Sequence, residues 1–336
     1  MARRMMVTDN AMDFSGKRIL ILGGLGFIGS NLALRLAGLG AKVTVVDSML
    51  EQYGGNLANI EPAEDRVNIN FSDIRDQHSL NYIVRDMELI YSVAGQTSHI
   101  ESMSDPKTDL DINCTSQLSI LEACRAHNPN VTLVYASTRQ LYGKPQYLPV
   151  DENHPIIPVD VNGINKYAAE MYYTLYAKVY GMRCVSLRLT NTYGPRQHLR
   201  GNKQGFVGIF VRKAISGEKI QVFGDGKQLR DFNYIDDVVD AFLLAADNPK
   251  LYGGAYNLGA KRYYSLLDFV GYLQQLCKFE FEIIPFPPDH QAIDIGDYYG
   301  SYQLFHSITG WEPTVELEEG MTRTVEYFRP RSYLYW

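Results

Sequence analysis

The chain has 336 residues, 46% of them hydrophobic, and its 38 acidic against 32 basic side chains leave a formal charge of −6. That length allows about two domains, and the apolar share excludes global disorder. Mild acidity argues against nucleic acid as a partner, since duplex binders carry a basic face. No apolar run approaches the roughly eighteen residues of a membrane span.

The basic start, Met1 to Met6, lacks the apolar centre of a signal peptide, so residues 1–14 are read as a flexible tail. From Arg18 the chain alternates short β-branched runs with helical patterns. Strands are expected at Arg18–Leu22, Lys42–Val46, Val67–Phe71, Leu89–Val93, Val131–Ala136 and Cys184–Leu189. Helices are expected at Asn31–Leu39, Asp109–Ala126 and Ile164–Tyr180. Continuous apolar strands alternating with helices mean a parallel sheet covered on both faces, an α/β doubly wound Rossmann fold. Past Tyr193 the rhythm breaks into a smaller mixed α/β region, with helices expected near Asp236–Asp247 and Ser265–Leu276. The expected division is 15–192 as the dinucleotide domain, with a returning segment at about 229–250, and 193–228 plus 251–330 as the substrate domain. Cys114, Cys124, Cys184 and Cys277 form no CxxC pair and no Cys/His cluster. Reduced thiols, no metal and a cytoplasmic location are therefore expected.

Gly23-Gly24-Leu25-Gly26-Phe27-Ile28-Gly29 follows the first strand and opens the first helix. Gly23 permits the tight turn, Gly26 lets backbone approach a pyrophosphate, and Gly29 allows close helix–strand packing. The second strand ends about twenty residues on, at Asp47, where a carboxylate accepts from ribose hydroxyls and repels a 2′-phosphate. No Arg follows Asp47 directly, which favours NAD over NADP.

With Asp73-Ile74-Arg75-Asp76, Val93-Ala94-Gly95-Gln96 and Asn113, this glycine spacing resembles the extended short-chain dehydrogenase/reductase family, and within it the nucleotide-sugar epimerases and dehydratases. The resemblance runs from about Lys17 to about Phe328. It implies that Phe27, Ile28, Ser48, Asp73, Ile74, Ala94 and Gln96 line the cofactor with the glycines and Asp47. It also implies that Asn113 braces the helix beside the site. Arg188-Leu189-Thr190-Asn191-Thr192-Tyr193-Gly194-Pro195-Arg196 is similar to the family stretch whose Asn holds substrate phosphate, a role that Asn191 inherits. Arg230, within Gly224 to Asp237, would place its guanidinium fork on the diphosphate. The second diphosphate Arg of the family is replaced here by Asp294, two residues before Gly296-Asp297; Arg196, Lys203 and Arg212 are the candidates for the missing charge.

The catalytic pattern departs further. Thr138 takes the place of the hydroxyl residue that orients the sugar oxygen. Arg139 and Gln140 stand where 4,6-dehydratases carry Asp and Glu, which disfavours water elimination. In the Tyr-x-x-x-Lys element Lys166 is present to hold the nicotinamide ribose, but Asn162 occupies the Tyr position, and an amide cannot accept a proton. His99, in the loop after the fourth strand, is the candidate for a substitute base, since histidine titrates near neutrality; the alternative is that it only hydrogen-bonds substrate or backbone. Tyr142 is assigned to packing. The reading is an NAD-dependent epimerase of a nucleotide-activated sugar acting through a transient keto-sugar. A dehydrogenase or reductase, and a weakly catalytic or non-catalytic binding protein, are its alternatives. The resemblance further implies a homodimer.

Overall fold

Seven strands hydrogen-bond into one all-parallel sheet: β1 (Arg18–Leu22), β2 (Lys42–Val46), β3 (Val67–Asn70), β4 (Leu89–Ser92), β5 (Thr132–Thr138), β6 (Arg183–Leu189) and, after three strands that lie elsewhere, β10 (Ala255–Leu258). The computed structural model behind this description covers residues 13–201 and 205–336. Strand order is β10-β6-β5-β4-β1-β2-β3. The chain winds outward from β1 in one direction and from β4 in the other, and that reversal opens a crevice at the carboxyl ends of the two strands. Ile19, Leu20, Ile21, Leu22 and Ile90 are wholly buried, as a sheet covered on both faces requires.

The first helix runs Phe27–Gly38, earlier than Asn31, because the glycine turn itself forms its N-terminus. The stretch expected as one helix from Asp109 to Ala126 is three pieces: Pro106–Leu110, a π turn Asp111–Thr115, and Ser116–His127. A π turn widens the helix locally and is common at functional sites. Helix Val161–Tyr180 is capped by the Asp160 carboxylate, which accepts from Gly163 N–H, and ends at left-handed Gly181.

The smaller region carries β7 (Asn191–Tyr193), β9 (Leu229–Tyr234) and β11 (Tyr263–Ser265) in one sheet, and β8 (Ile220–Phe223) paired with β12 (Phe281–Ile284) in another. The expected division therefore shifts at two points. β10 lies within 251–330 yet completes the large sheet beside β6. β9 opens the returning segment yet pairs with β7 and β11; only helix Ile235–Ala246, which packs on helix Phe27–Gly38, returns. Residues 1–12 of the expected tail lie outside the described residues. Phe14 is not tail-like: it is 2% exposed in the main core, with the Lys17 ammonium 5.2 Å above its ring. All four cysteines are free thiols. Among the described residues no helix is long and apolar enough to cross a membrane, and no His/Cys/Asp/Glu group could hold a metal ion.

Candidate active site

A cleft of about 330 Å³ opens at the carboxyl ends of β1, β2, β4 and β5, within the size range of small-molecule sites. Gly23, Gly26, Phe27, Ile28, Gly29, Asp47, Ser48, Asp73, Ile74, Ala94 and Gln96 all line it, as do Thr138, Lys166, Asn162, His99 and Asn191.

At one end the glycine turn forms a cradle. A Cβ on Gly29 would stand 2.1 Å from Gly23 O, so only glycine lets the helix approach the turn. Gly26 caps helix Phe27–Gly38 with no side-chain hydrogen bond, and no acidic residue sits in its first turn. Its leading N–H groups and dipole thus face the cleft without an anion of the chain's own. Asp47 accepts from Leu25 N–H (3.0 Å) and Met49 N–H (2.9 Å), bracing the turn against β2. Burial raises its carboxyl above the ordinary value, against those two bonds. Asp73 is held low by Arg75, whose guanidinium is 2.6 Å away. A glycine turn whose helix has no side-chain cap, followed by a strand-end carboxylate, fits the expected dinucleotide.

At the catalytic end, Thr138 Oγ1 accepts from Gln140 N–H at 3.2 Å, leaving its own proton for a ligand. Lys166, 7% exposed, donates to Ala136 O (3.0 Å) and lies 5.1 Å above the Tyr135 ring. Burial brings its ammonium down to about 8, opposed by the charge of Asp109. Asp109 is wholly buried and gathers three asparagine amides: Asn113 (3.0 Å), Asn162 (3.1 Å) and Asn165 (2.8 Å). Asn162 and Asn113 each spend their second amide proton on Gln96 O, at 2.9 and 3.0 Å. Asn162 is thereby a fixed strut between the helix, the π turn and the loop after β4. Asn113 Oδ1 is buried without a hydrogen-bond partner among the described residues, and a Cβ on Gly95 would meet it and Lys166 Nζ at 2.9 and 3.0 Å. The polar space at Gly95 is thus kept open.

His99 begins the short helix His99–Ser104 at the cleft wall, and its Nδ1 stands 3.0 Å from Asp160 Oδ2. The pair lacks the alignment of a formed hydrogen bond, and such bonds often tighten only when ligand binds. Asp160 also accepts from Gln140 Nε2 at 2.7 Å. Burial pushes its carboxyl up, but His99, Gly163 N–H and Gln140 outweigh that and hold it below the ordinary carboxylate value.

The substrate side differs from expectation. Asn191 is in the cleft, but its amide is already tied: Nδ2 donates to Asp231 O (2.9 Å) and Oδ1 accepts from Arg139 Nη2 (3.2 Å). Arg230 is not among the cleft-lining residues. It is 7% exposed, with Nη1 on Leu229 O and Gly296 O and Nη2 on Gln228 Oε1. Asp294 Oδ1 approaches it to 3.8 Å, so the acid at the expected Arg position serves as counter-charge to a buried guanidinium. Burial, then the charge of Arg139, brings Arg230 down to about 10. Arg196 donates to Asn59 O and Asn31 Oδ1 and stacks on Tyr327, a structural tie. Lys203 lies outside the described residues. Tyr142 packs as expected, in a buried network with Arg188, Glu170 and Asn257.

Three residues escaped sequence reasoning. Asp160 carries no signal of its own in the sequence, and Asp109 marks only the start of an expected helix; Asp109 meets the asparagines of the helix that carries Lys166 across more than fifty positions, which no local pattern foretells. His198 also lines the cleft, beside Gly54, with burial holding its imidazole below the ordinary value.

The sequence matches the family described as NAD dependent epimerase/dehydratase over residues 19–259. The UDP-glucose 4-epimerase of Mycolicibacterium smegmatis is 30% identical over 328 residues, 94% of this chain and 99% of that protein. Among solved structures, the UDP-glucose 4-epimerase of Thermotoga maritima with UDP-glucose superposes with a TM-score of 0.84 at 31% identity, covering 93% of this chain and 99% of the other. The UDP-glucose 4-epimerase of Thermus thermophilus in complex with NAD gives 0.83 at 30%, covering 94% and 99%.

Proposed function

The chain belongs to the NAD-dependent epimerase/dehydratase family, and from that footing we propose that it is an epimerase of a nucleotide-activated sugar in which a histidine replaces the usual phenol as base. The observation that carries the reading is the pairing of His99 Nδ1 with Asp160 Oδ2 at 3.0 Å on the cleft wall that Thr138 and Lys166 share. Bound NAD supplies a reversible two-electron acceptor, so that a ring carbinol can pass through its ketone and return with inverted configuration. Gly23, Gly26, Gly29 and Asp47 would hold its phosphates and ribose, with Lys166 on the nicotinamide ribose.

In this reading Thr138 donates its proton to the sugar oxygen at the reacting carbon and keeps it in place. His99 takes the hydroxyl proton as the carbonyl forms, and returns it when the hydroxyl is regenerated. Asp160 orients the imidazole and balances the charge it acquires, as a carboxylate does for a catalytic histidine elsewhere. Asn162 positions Gln96 and Asp109 and moves no proton. Arg139 and Gln140 offer no acid–base pair for water loss, which favours epimerisation over dehydration. The exposed apolar stripe Ile164, Met171, Leu175 and Val179 on helix Val161–Tyr180 supports pairing with a second copy.

The test uses the NAD-loaded protein and uridine-, cytidine- and thymidine-linked sugars deuterated at the ring carbons. Wild type should invert one centre with a transient rise in reduced-nicotinamide absorbance, and His99→Asn should slow it by roughly 10²–10⁴. Binding of a sugar nucleotide with no absorbance change and no inversion would instead establish the non-catalytic reading, which the immobilised Asn162 amide and buried Arg230 favour.

A further inference from the structure

Arg139 follows Thr138 at the end of β5 and lines the cleft, half-buried. Two contacts hold its guanidinium. The ring of Tyr298, itself 2% exposed, lies 4.8 Å beneath it, and Nη2 donates to Asn191 Oδ1 at 3.2 Å. The remaining terminal nitrogen, Nη1, is sealed from solvent and has no hydrogen-bond partner among the described residues. A buried cationic donor left unpaired is costly, and natural structures rarely keep one without a reason.

The other cations of the described cleft are accounted for. Arg75 is paired with Asp73, and Lys166 is held on Ala136 O above Tyr135. Arg230 lies close enough to Arg139 for their charges to oppose each other, yet its own donors are spent on Leu229 O, Gly296 O and Gln228. Asp231, the nearby acid that feels Arg139, is occupied by Thr190 Oγ1 and Gly300 N–H. Arg139 is therefore a cation oriented on both sides, beside the hydroxyl of Thr138, with one N–H edge unfilled.

We propose that Arg139 is the substrate's oxyanion receptor: its Nη1 edge binds a charged oxygen of the sugar nucleotide, taking over a charge-recognition task that Arg230 and Asp294 do not perform here. The oxyanion is either the diphosphate linkage or a carboxylate on the sugar, since a planar guanidinium recognises both by the same forked, charge-assisted bonds. This rests on the nucleotide-sugar reading.

The test is titration calorimetry of wild type, Arg139→Gln and Arg139→Lys with UDP, UDP-glucose, UDP-glucuronate, CDP-glucose and dTDP-glucose, with melting temperature and NAD content as controls. A diphosphate receptor gives about tenfold or greater weakening in Arg139→Gln for every ligand that wild type binds, UDP included. A carboxylate receptor weakens UDP-glucuronate by that factor and leaves UDP and UDP-glucose unchanged. Arg139→Lys keeps the charge and loses the fork, and should lose affinity for the same ligands; it carries the test alone if the Gln variant does not fold. Affinities within about twofold of wild type for all ligands, in a folded variant, overturn the proposal and leave the epimerase reading standing. A wild type that binds none of the five overturns both.

Discussion

His99 and Asp160 are separated by sixty-one positions in sequence and by 3.0 Å in space, Nδ1 to Oδ2. The carboxylate meets the ring where it also caps helix Val161–Tyr180, so the histidine is indexed to the helix that carries Lys166. Asp160→Asn separates capping from charge, because Asn caps a helix as well as Asp does. The variant should melt close to wild type, keep its KM, and lose one to four powers of ten in kcat, roughly the range between a misoriented and an absent base. Unchanged kcat would remove His99 as the base.

Asn162→Tyr would restore the family's usual residue, and it should not help. Both Asn162 amide protons are committed, to Gln96 O and to Asp109, and the residue is 2% exposed. A phenol there must displace packed neighbours, and it removes one of the two amide donors to Gln96 O and one of the three to Asp109. Overpacking of that kind costs about 1–3 kcal/mol. The variant is expected to melt well below wild type with no gain in turnover; a large gain would mean that the phenol is the only base this cleft can use.

The cofactor end was readable in the sequence because its signals are local. A glycine turn after an apolar strand, and a carboxylate at the next strand's end, are short patterns with one physical interpretation, and every residue named from them lines the cleft. What failed depended on distant partners. Arg230 is turned away by Gly296 and Asp294, more than sixty residues on, and no property of its own segment foretells this. The π turn at Asp111–Thr115 breaks a helix whose apolar spacing looks continuous, because one extra residue in a turn barely disturbs a 3.6 period. β10 is only four residues long and follows a glycine pair, too short to be distinguished from the smaller region around it.

Two helical glycines should respond in opposite directions to alanine. At Gly29 the new Cβ would meet Gly23 O at 2.1 Å and Gly24 Cα at 2.8 Å, both backbone, so turn and helix must separate. Gly29→Ala is expected to lower stability by about 1–3 kcal/mol and to lower NAD content at purification. At Gly271, inside helix Leu266–Leu276, a Cβ meets nothing within 4 Å. Gly271→Ala should raise stability by about 0.5–1 kcal/mol through helix propensity alone. Denaturant melts of both, with bound nicotinamide measured by absorbance, check the pair.

Lys166 should be a liability in the protein without cofactor. Its ammonium is 7% exposed, has a single hydrogen bond, and is brought by burial from 10.5 to about 8. A shift of that size corresponds to a penalty of about 3 kcal/mol while both states are protonated. Lys166→Met keeps the length and removes the charge, so the cofactor-free variant should be more stable than wild type near neutral pH while losing NAD affinity. The sign with pH follows from proton binding. Above about pH 8 the folded chain has released the proton, while the unfolded chain holds it until 10.5. Raising pH through that window therefore favours the fold, and the penalty fades. The advantage of Lys166→Met should be full below about pH 8 and shrink toward pH 10. Urea melts of NAD-free protein across that range measure it, and an advantage that stays constant with pH would mean that the buried ammonium is not its source.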